Sequence, residues 1–159
     1  MPLTFLRNLG IVSAAGITTT KLGAGAIIQV SSIATTTVGQ VLATSTYTDL
    51  TSLSLSITPS SASSKILLIS NINWGLGDDE GFGVRFLRDA TNVFTTTQTY
   101  ASYAQGITDL YATLPVVYID SPSTTSAITY KVQGAAYSNK SITFQIGMQS
   151  IFYAMEIAG

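Results

Sequence analysis

Apolar side chains in this chain recur at every second position. Leu53, Leu55 and Ile57 alternate with Ser54, Ser56 and Thr58, and Ile128, Tyr130 and Val132 with Thr129, Lys131 and Gln133. Ile142, Phe144 and Ile146 alternate with Thr143 and Gln145. Neighbouring side chains of a strand point to opposite faces, so each segment has one face for a core and one for water. No stretch of a dozen residues carries a clean helical apolar period. The segment 97–110, with Gly106 among Thr and Tyr, reads as a loop.

Nine segments read as strands: 27–32, 51–57, 65–73, 82–88, 92–96, 114–119, 128–135, 141–146 and 151–157. Between them stand turn signals at Pro59-Ser60, 75–81, Asp89-Ala90-Thr91, Ser121-Pro122-Ser123 and Ser138-Asn139. Short strands at such spacing predict an all-β sandwich or barrel. Pro115 falls near the start of its strand, where a missing N–H is tolerated.

Three segments break the alternation. Ile66–Ile69, Ile151–Met155 and Leu114–Ile119 are apolar on both sides. A strand of a two-sheet protein needs a second burial surface for that, and a symmetric subunit interface supplies one. Leu67, Ile69, Phe152, Ala154 and Glu156 are therefore the candidates for an interface between copies. At an interface Glu156 would need a partner such as Arg85 or Arg88 to offset desolvation.

Composition points the same way. The chain has 7 basic and 8 acidic residues in 159, or 9% charged. A soluble surface usually carries about 25–35%. No Lys/Arg cluster exists to displace counterions, which argues against nucleic acid as a partner. No run approaches the roughly 20 apolar residues of a membrane span, so no membrane insertion is expected. The start lacks the basic-then-apolar order of an export signal.

Residues 1–25 differ from the rest. Leu3, Phe5, Leu6, Leu9 and Ile11 are apolar, and small residues follow at 14–16 and 23–25. This is too short for a core of its own and too apolar for an ordinary disordered tail. It reads as an attachment arm, with residues 26–159 as the head.

"TDLTSLSLSITPSSASSKILLISNINWG" (48–75), "VRFLRDATNVF" (84–94), "IDSPSTTSAITYKVQ" (119–133) and "FYAMEIAG" (152–159) in this order resemble a recurrent module of phage virion proteins. The likeness is greatest to phages of cyanobacteria and other aquatic bacteria. "GITTTKLGAGAIIQV" (16–30) resembles the junction between a fibre's attachment segment and its head. The resemblance implies an antiparallel jelly-roll β-sandwich of eight or nine strands, similar to the complement-component and tumour-necrosis-factor head, assembling as a trimer. In that fold the third and last strands pair in the inner sheet and face the threefold axis. The short N-terminus contains no coiled coil or repeat shaft, so the expected role is a short fibre or spike, or a capsid-decorating cement protein.

Catalytic signals are weak. With no His and no Cys, the serines lack the commonest base and thiolate chemistry is absent. Asp49, Asp109, Asp120 and Glu156 are carboxylates that no motif brings together as a glycosidase pair. Asp78-Asp79-Glu80 on a Gly-rich loop lacks the ordered ligand spacing of a calcium loop and reads as a solvated tip. Tyr100, Tyr103 and Tyr111 amid small polar residues suit either a recognition surface or a cover for the sandwich edge. Trp74 reads as a lid on the core.

The expectation is a non-enzymatic phage virion protein with no cofactor and no metal. Its partners are copies of itself, other virion proteins and, through loops at Asp78, Asp79, Glu80, Tyr100 and Tyr103, a host-surface glycan. The alternative is a stand-alone carbohydrate-binding module.

Overall fold

The computed structural model describes residues 22–35, 39–77, 80–96, 101–107, 109–138 and 140–159. Eleven strands account for the regular structure of these residues. They are β1 (Ile27–Ala34), β2 (Gln40–Leu42), β3 (Thr48–Ile57), β4 (Lys65–Leu76), β5 (Glu80–Arg88), β6 (Thr91–Thr95), β7 (Ser102–Ala104), β8 (Leu110–Asp120), β9 (Ile128–Ala136), β10 (Ile142–Phe144) and β11 (Ile151–Ile157).

Six of the strands lie end to end in pairs, so the eleven occupy eight rows. β10 and β11 both run antiparallel to β4, β2 and β1 flank them in turn, and β6 and β7 share one side of β5. One sheet therefore reads β8, β4, β11 with β10, β1 with β2; the other reads β3, β9, β5, β6 with β7. This is a jelly-roll sandwich, with the third row beside the last as the resemblance implied. All nine expected strands exist. β2 and β7 went unseen because three residues are too short to display alternation.

An aromatic spine joins the sheets. Phe86 meets Phe152 at 5.4 Å between ring centroids, Phe82 meets Phe144 edge-on at 5.4 Å, and Trp74 lies 4.8 Å from Phe82. All five side chains are buried, with Trp74 in the core as expected. Gly134 makes the closest approach possible, since a Cβ there would stand 2.7 Å from the Phe144 ring. At one end Arg88 of β5 donates to both carboxylate oxygens of Asp120 on β8, at 3.0 and 2.9 Å, and Tyr130 donates to Asp120 at 2.7 Å. Burial and the Asp120 carboxylate push the Tyr130 phenol far above its ordinary pKa.

The broken rows are joined by a buried polar seam. Asn73 donates through Nδ2 to the Gln149 carbonyl at 2.7 Å and accepts from the Thr113 hydroxyl at 2.5 Å. Its amide donates to the Ser150 hydroxyl, and the Gln145 amide donates to the Asn73 carbonyl. Gln145, at φ 61°, turns the chain out of the sheet and sends Nε2 to the Thr51 carbonyl. Its side chain is buried rather than on the wet face that simple alternation assigns, because the left-handed turn shifts the phase.

Pro115 also differs from expectation. β8 starts at Leu110, so Pro115 is mid-strand, tolerated because β8 is an edge with no partner on its far side among the described residues.

Candidate functional site

The two sheets present very different outer faces. On β4, Ile66, Leu68, Ile72 and Trp74 point into the core, which leaves Leu67, Ile69, Asn71 and Asn73 outward. The register places Val117 and Ile119 of β8 beside Ile69 and Leu67, and Tyr153 and Met155 of β11 on their other side. Val30 of β1 continues the same face beside Met155. Val30, Val117 and Ile119 are 55%, 60% and 51% exposed, an unusual state for side chains packed side by side on one surface. Among the described residues of this sheet's strands, only Lys65 places a charge outward.

Of the five interface candidates, Leu67 and Ile69 are on this face. Phe152, Ala154 and Glu156 are not: they point inward and are buried, so their neighbours Tyr153, Met155 and Ile157 take the outer positions. The correction is one of phase. A strand apolar on both sides does not say which set meets its own core, and the aromatic contact of Phe152 with Phe86 settles it.

Glu156 pairs with neither Arg85 nor Arg88. It accepts from the Ser60 amide and hydroxyl, both at 2.7 Å, and so pins the connection between β3 and β4. Burial opposes its ionisation, but the Ser60 hydrogen bonds prevail and hold the carboxyl below its ordinary 4.5. Arg85 donates instead to Gln133 at 2.6 Å and lies 4.5 Å above the Tyr47 ring.

The other sheet's outer face is polar. Asp49 accepts from Lys131 at 2.9 Å and from Gln133 at 2.5 Å. The Gln133 bond, then Lys131, lowers the Asp49 pKa. Ser56 and Thr129 share a hydrogen bond beside them.

Register fixes the two ends. Ile27, Ile157, Lys65 and Asp120 lie at one end; Leu76, Leu110, Ile142 and Glu80 lie at the other. The chain enters at the first, where the Gly25 amide donates to the Ala158 carbonyl. The twelve residues of β4 separate the ends by roughly 36 Å. Leu3, Phe5, Leu6, Leu9 and Ile11 lie outside the described residues.

Glu80 does not face solvent as the sequence suggested. It opens β5, is fully buried, and accepts from the amides of Gly81, Tyr137, Ser138 and Lys140 and from the Ser138 hydroxyl. A carboxylate that gathers several N–H groups pins a loop. Asp78, Asp79 and Tyr100 lie outside the described residues. Tyr103 is 46% exposed and meets Tyr137 edge-on at 5.9 Å. The pair straddles Gly81, which pairs with Tyr103 and accepts the Tyr137 amide. Tyr137 escaped sequence reasoning because nothing in its local pattern separates it from an ordinary strand end.

Gly75 is a strand residue, not a turn. A Cβ there would stand 2.6 Å from the Tyr111 ring, which covers it from β8. Beside that ring a cavity of about 640 Å³ opens between β8 and the segment after β10, lined by Tyr111, Thr113, Ile146 and Met148. Among the described residues no group of three acidic side chains is placed to hold a metal ion, and no helix is long and apolar enough to cross a membrane.

No family model and no curated protein matches this chain. Among solved structures, a chain in the structure of infectious bursal disease virus Gx strain aligns with 93% of this chain and 43% of its own length, at 12% identity and a TM-score of 0.44. The present chain thus matches less than half of that one.

Proposed function

We propose that this protein is a non-catalytic structural component of a phage virion that assembles as a homotrimer through the outer face of the β8–β4–β11–β1 sheet. One observation supports this above the rest: that face is apolar and nearly uncharged, whereas the opposite face carries Asp49, Lys131, Arg85 and Gln133. The resemblance of residues 16–159 to phage fibre and decoration modules supplies the particle and the threefold symmetry. Residues 1–25 attach to other virion proteins, and the end bearing Tyr103 and Tyr137 lies opposite the one where Gly25 meets Ala158.

Light scattering on the purified chain tests the reading. A mass three times that of the chain supports it; a monodisperse monomer rejects it. Deleting residues 1–25 then leaves the trimer intact and abolishes incorporation into particles, while undiminished incorporation removes the arm.

A second reading is favoured by the Tyr103–Tyr137 pair. Two half-exposed rings over a glycine, held by Glu80, suit stacking against a saccharide at the host surface. Binding on a glycan array that disappears in Tyr103→Ala and Tyr137→Ala supports it; an empty array leaves a purely architectural role.

A further inference from the structure

We infer that Pro115 is a guard: it denies the free edge of β8 to the matching strand of a second copy, and so keeps sandwiches from joining edge to edge. That edge is distinct from the apolar face proposed for assembly, and the guard acts whether the chain works singly or in several copies.

Backbone direction along β4 decides where the backbone of β8 points. The Asn73 amide donates to the Ser150 hydroxyl at 2.9 Å and its carbonyl accepts the Gln145 amide at 2.6 Å, both on the side away from β8. Backbone groups of successive residues alternate sides in an antiparallel ladder. Asn73 and Asn71 therefore stand opposite Thr113 and Pro115 in pairs that share no hydrogen bond. It follows that Tyr111, Thr113, Pro115, Val117 and Ile119 turn their backbone groups out from the sheet, toward its free edge. Pro115 is the sixth of the eleven residues of β8. At the middle of the edge its ring occupies the place of an amide hydrogen, so an approaching strand meets carbon where it needs a donor.

An uncovered edge strand is a template for another strand. The other outer strands are short or interrupted. β2 and β7 have three residues and β6 has five. β1 and β3 each carry a register shift, and Ser52 of β3 turns at φ 62°. β8 instead keeps one register with β4 through all eleven residues. It has no charged residue before Asp120, whose buried carboxylate is held by Arg88 and Tyr130. The run Leu114–Ile119 is apolar or aromatic throughout, a pairing-prone segment but for the proline inside it. A cavity of about 450 Å³ lies between Leu114–Val117 and the end of β6, so the middle of this edge is open among the described residues. Pro115 thus sits on the longest of the outer strands, at the point where it shortens any pairing the most.

Pro115→Thr tests the guard, followed by light scattering over a range of concentrations. Two copies of this variant join antiparallel through β8. A monomeric wild type then doubles in mass, and an oligomeric one grows with concentration as each assembly links to the next. Moving the proline is the control. In Pro115→Thr/Val117→Pro the ring again fills an outward amide position, and the mass returns to that of the wild type. A Pro115→Thr chain that keeps the wild-type mass at every concentration overturns the guard and leaves assembly through the face standing; growth that persists in the double variant overturns it as well. If Pro115→Thr is recovered only as a precipitate, the double variant decides: a soluble chain of wild-type mass supports the guard, and a precipitate overturns it.

Discussion

The two outer faces of this sandwich are built from the same kind of strand and differ in one choice repeated along each row. Ser54, Ser56, Thr129 and Lys131 stand outward on β3 and β9, whereas Leu67, Ile69, Val117 and Tyr153 stand outward on β4, β8 and β11. Both sheets contribute inward apolar side chains to the common core. The core therefore cannot explain the difference. Burial in the proposed assembly would, since fully burying an exposed Val or Ile is worth about 1.5–3 kcal/mol of transfer free energy.

Charge placed on either face is the sharpest way to break the comparison. Ile69→Glu should reduce the assembly to single chains by light scattering, while Ser54→Glu on the polar face should leave the mass unchanged. Equal responses would end the distinction. The seam beneath the apolar face comes next. Asn73→Ala removes the bonds to the Gln149 carbonyl and the Thr113 hydroxyl, both on exposed residues, and should cost about 1–2 kcal/mol in urea unfolding. A loss under 1 kcal/mol would mean that water replaces the amide.

Acid probes a carboxylate inside the sandwich and one on its polar face more gently. Glu156 and Asp49 both titrate below their ordinary values, so each adds stability that is complete above the unfolded carboxylate pKa and fades as pH falls through the lower folded one. For Glu156 that loss lies below 4.5. Glu156→Gln should flatten the acid limb of stability against pH more than Asp49→Asn does, because Asp49 remains half exposed and screened. The smallest effect is expected from Lys131→Met. Its exposed ion pair with Asp49 is worth about 0–1 kcal/mol by chemical denaturation, and 1 M salt should erase the difference.

The fold was legible in the alternation because period two survives at Leu53–Ile57 of β3 and Ile128–Val132 of β9. What alternation could not supply is phase where both faces are apolar. At Ile151–Ile157 the inner set is Phe152, Ala154 and Glu156, a choice made by ring packing across the sandwich. The seam was equally hidden. Gln145 and Asn73 look like ordinary wet-face residues until the left-handed turn at Gln145 carries the chain out of the sheet. Glu80 read as one acid among three, and only the return of residues 137–140 onto β5 turns it into a clasp. Such partners are 57 to 60 residues away, beyond any local pattern.

The pairing of the first row with the last also has a temporal meaning. β1 finds its place only against β11, so the ribosome must deliver Ile151–Ile157 before Val30 and Met155 come together. A nascent or truncated chain can hydrogen-bond its middle strands yet lacks the finished apolar face. Under the proposed self-assembly, recognition between copies would be postponed until synthesis has passed β11, which would keep half-made subunits out without any dedicated inspector.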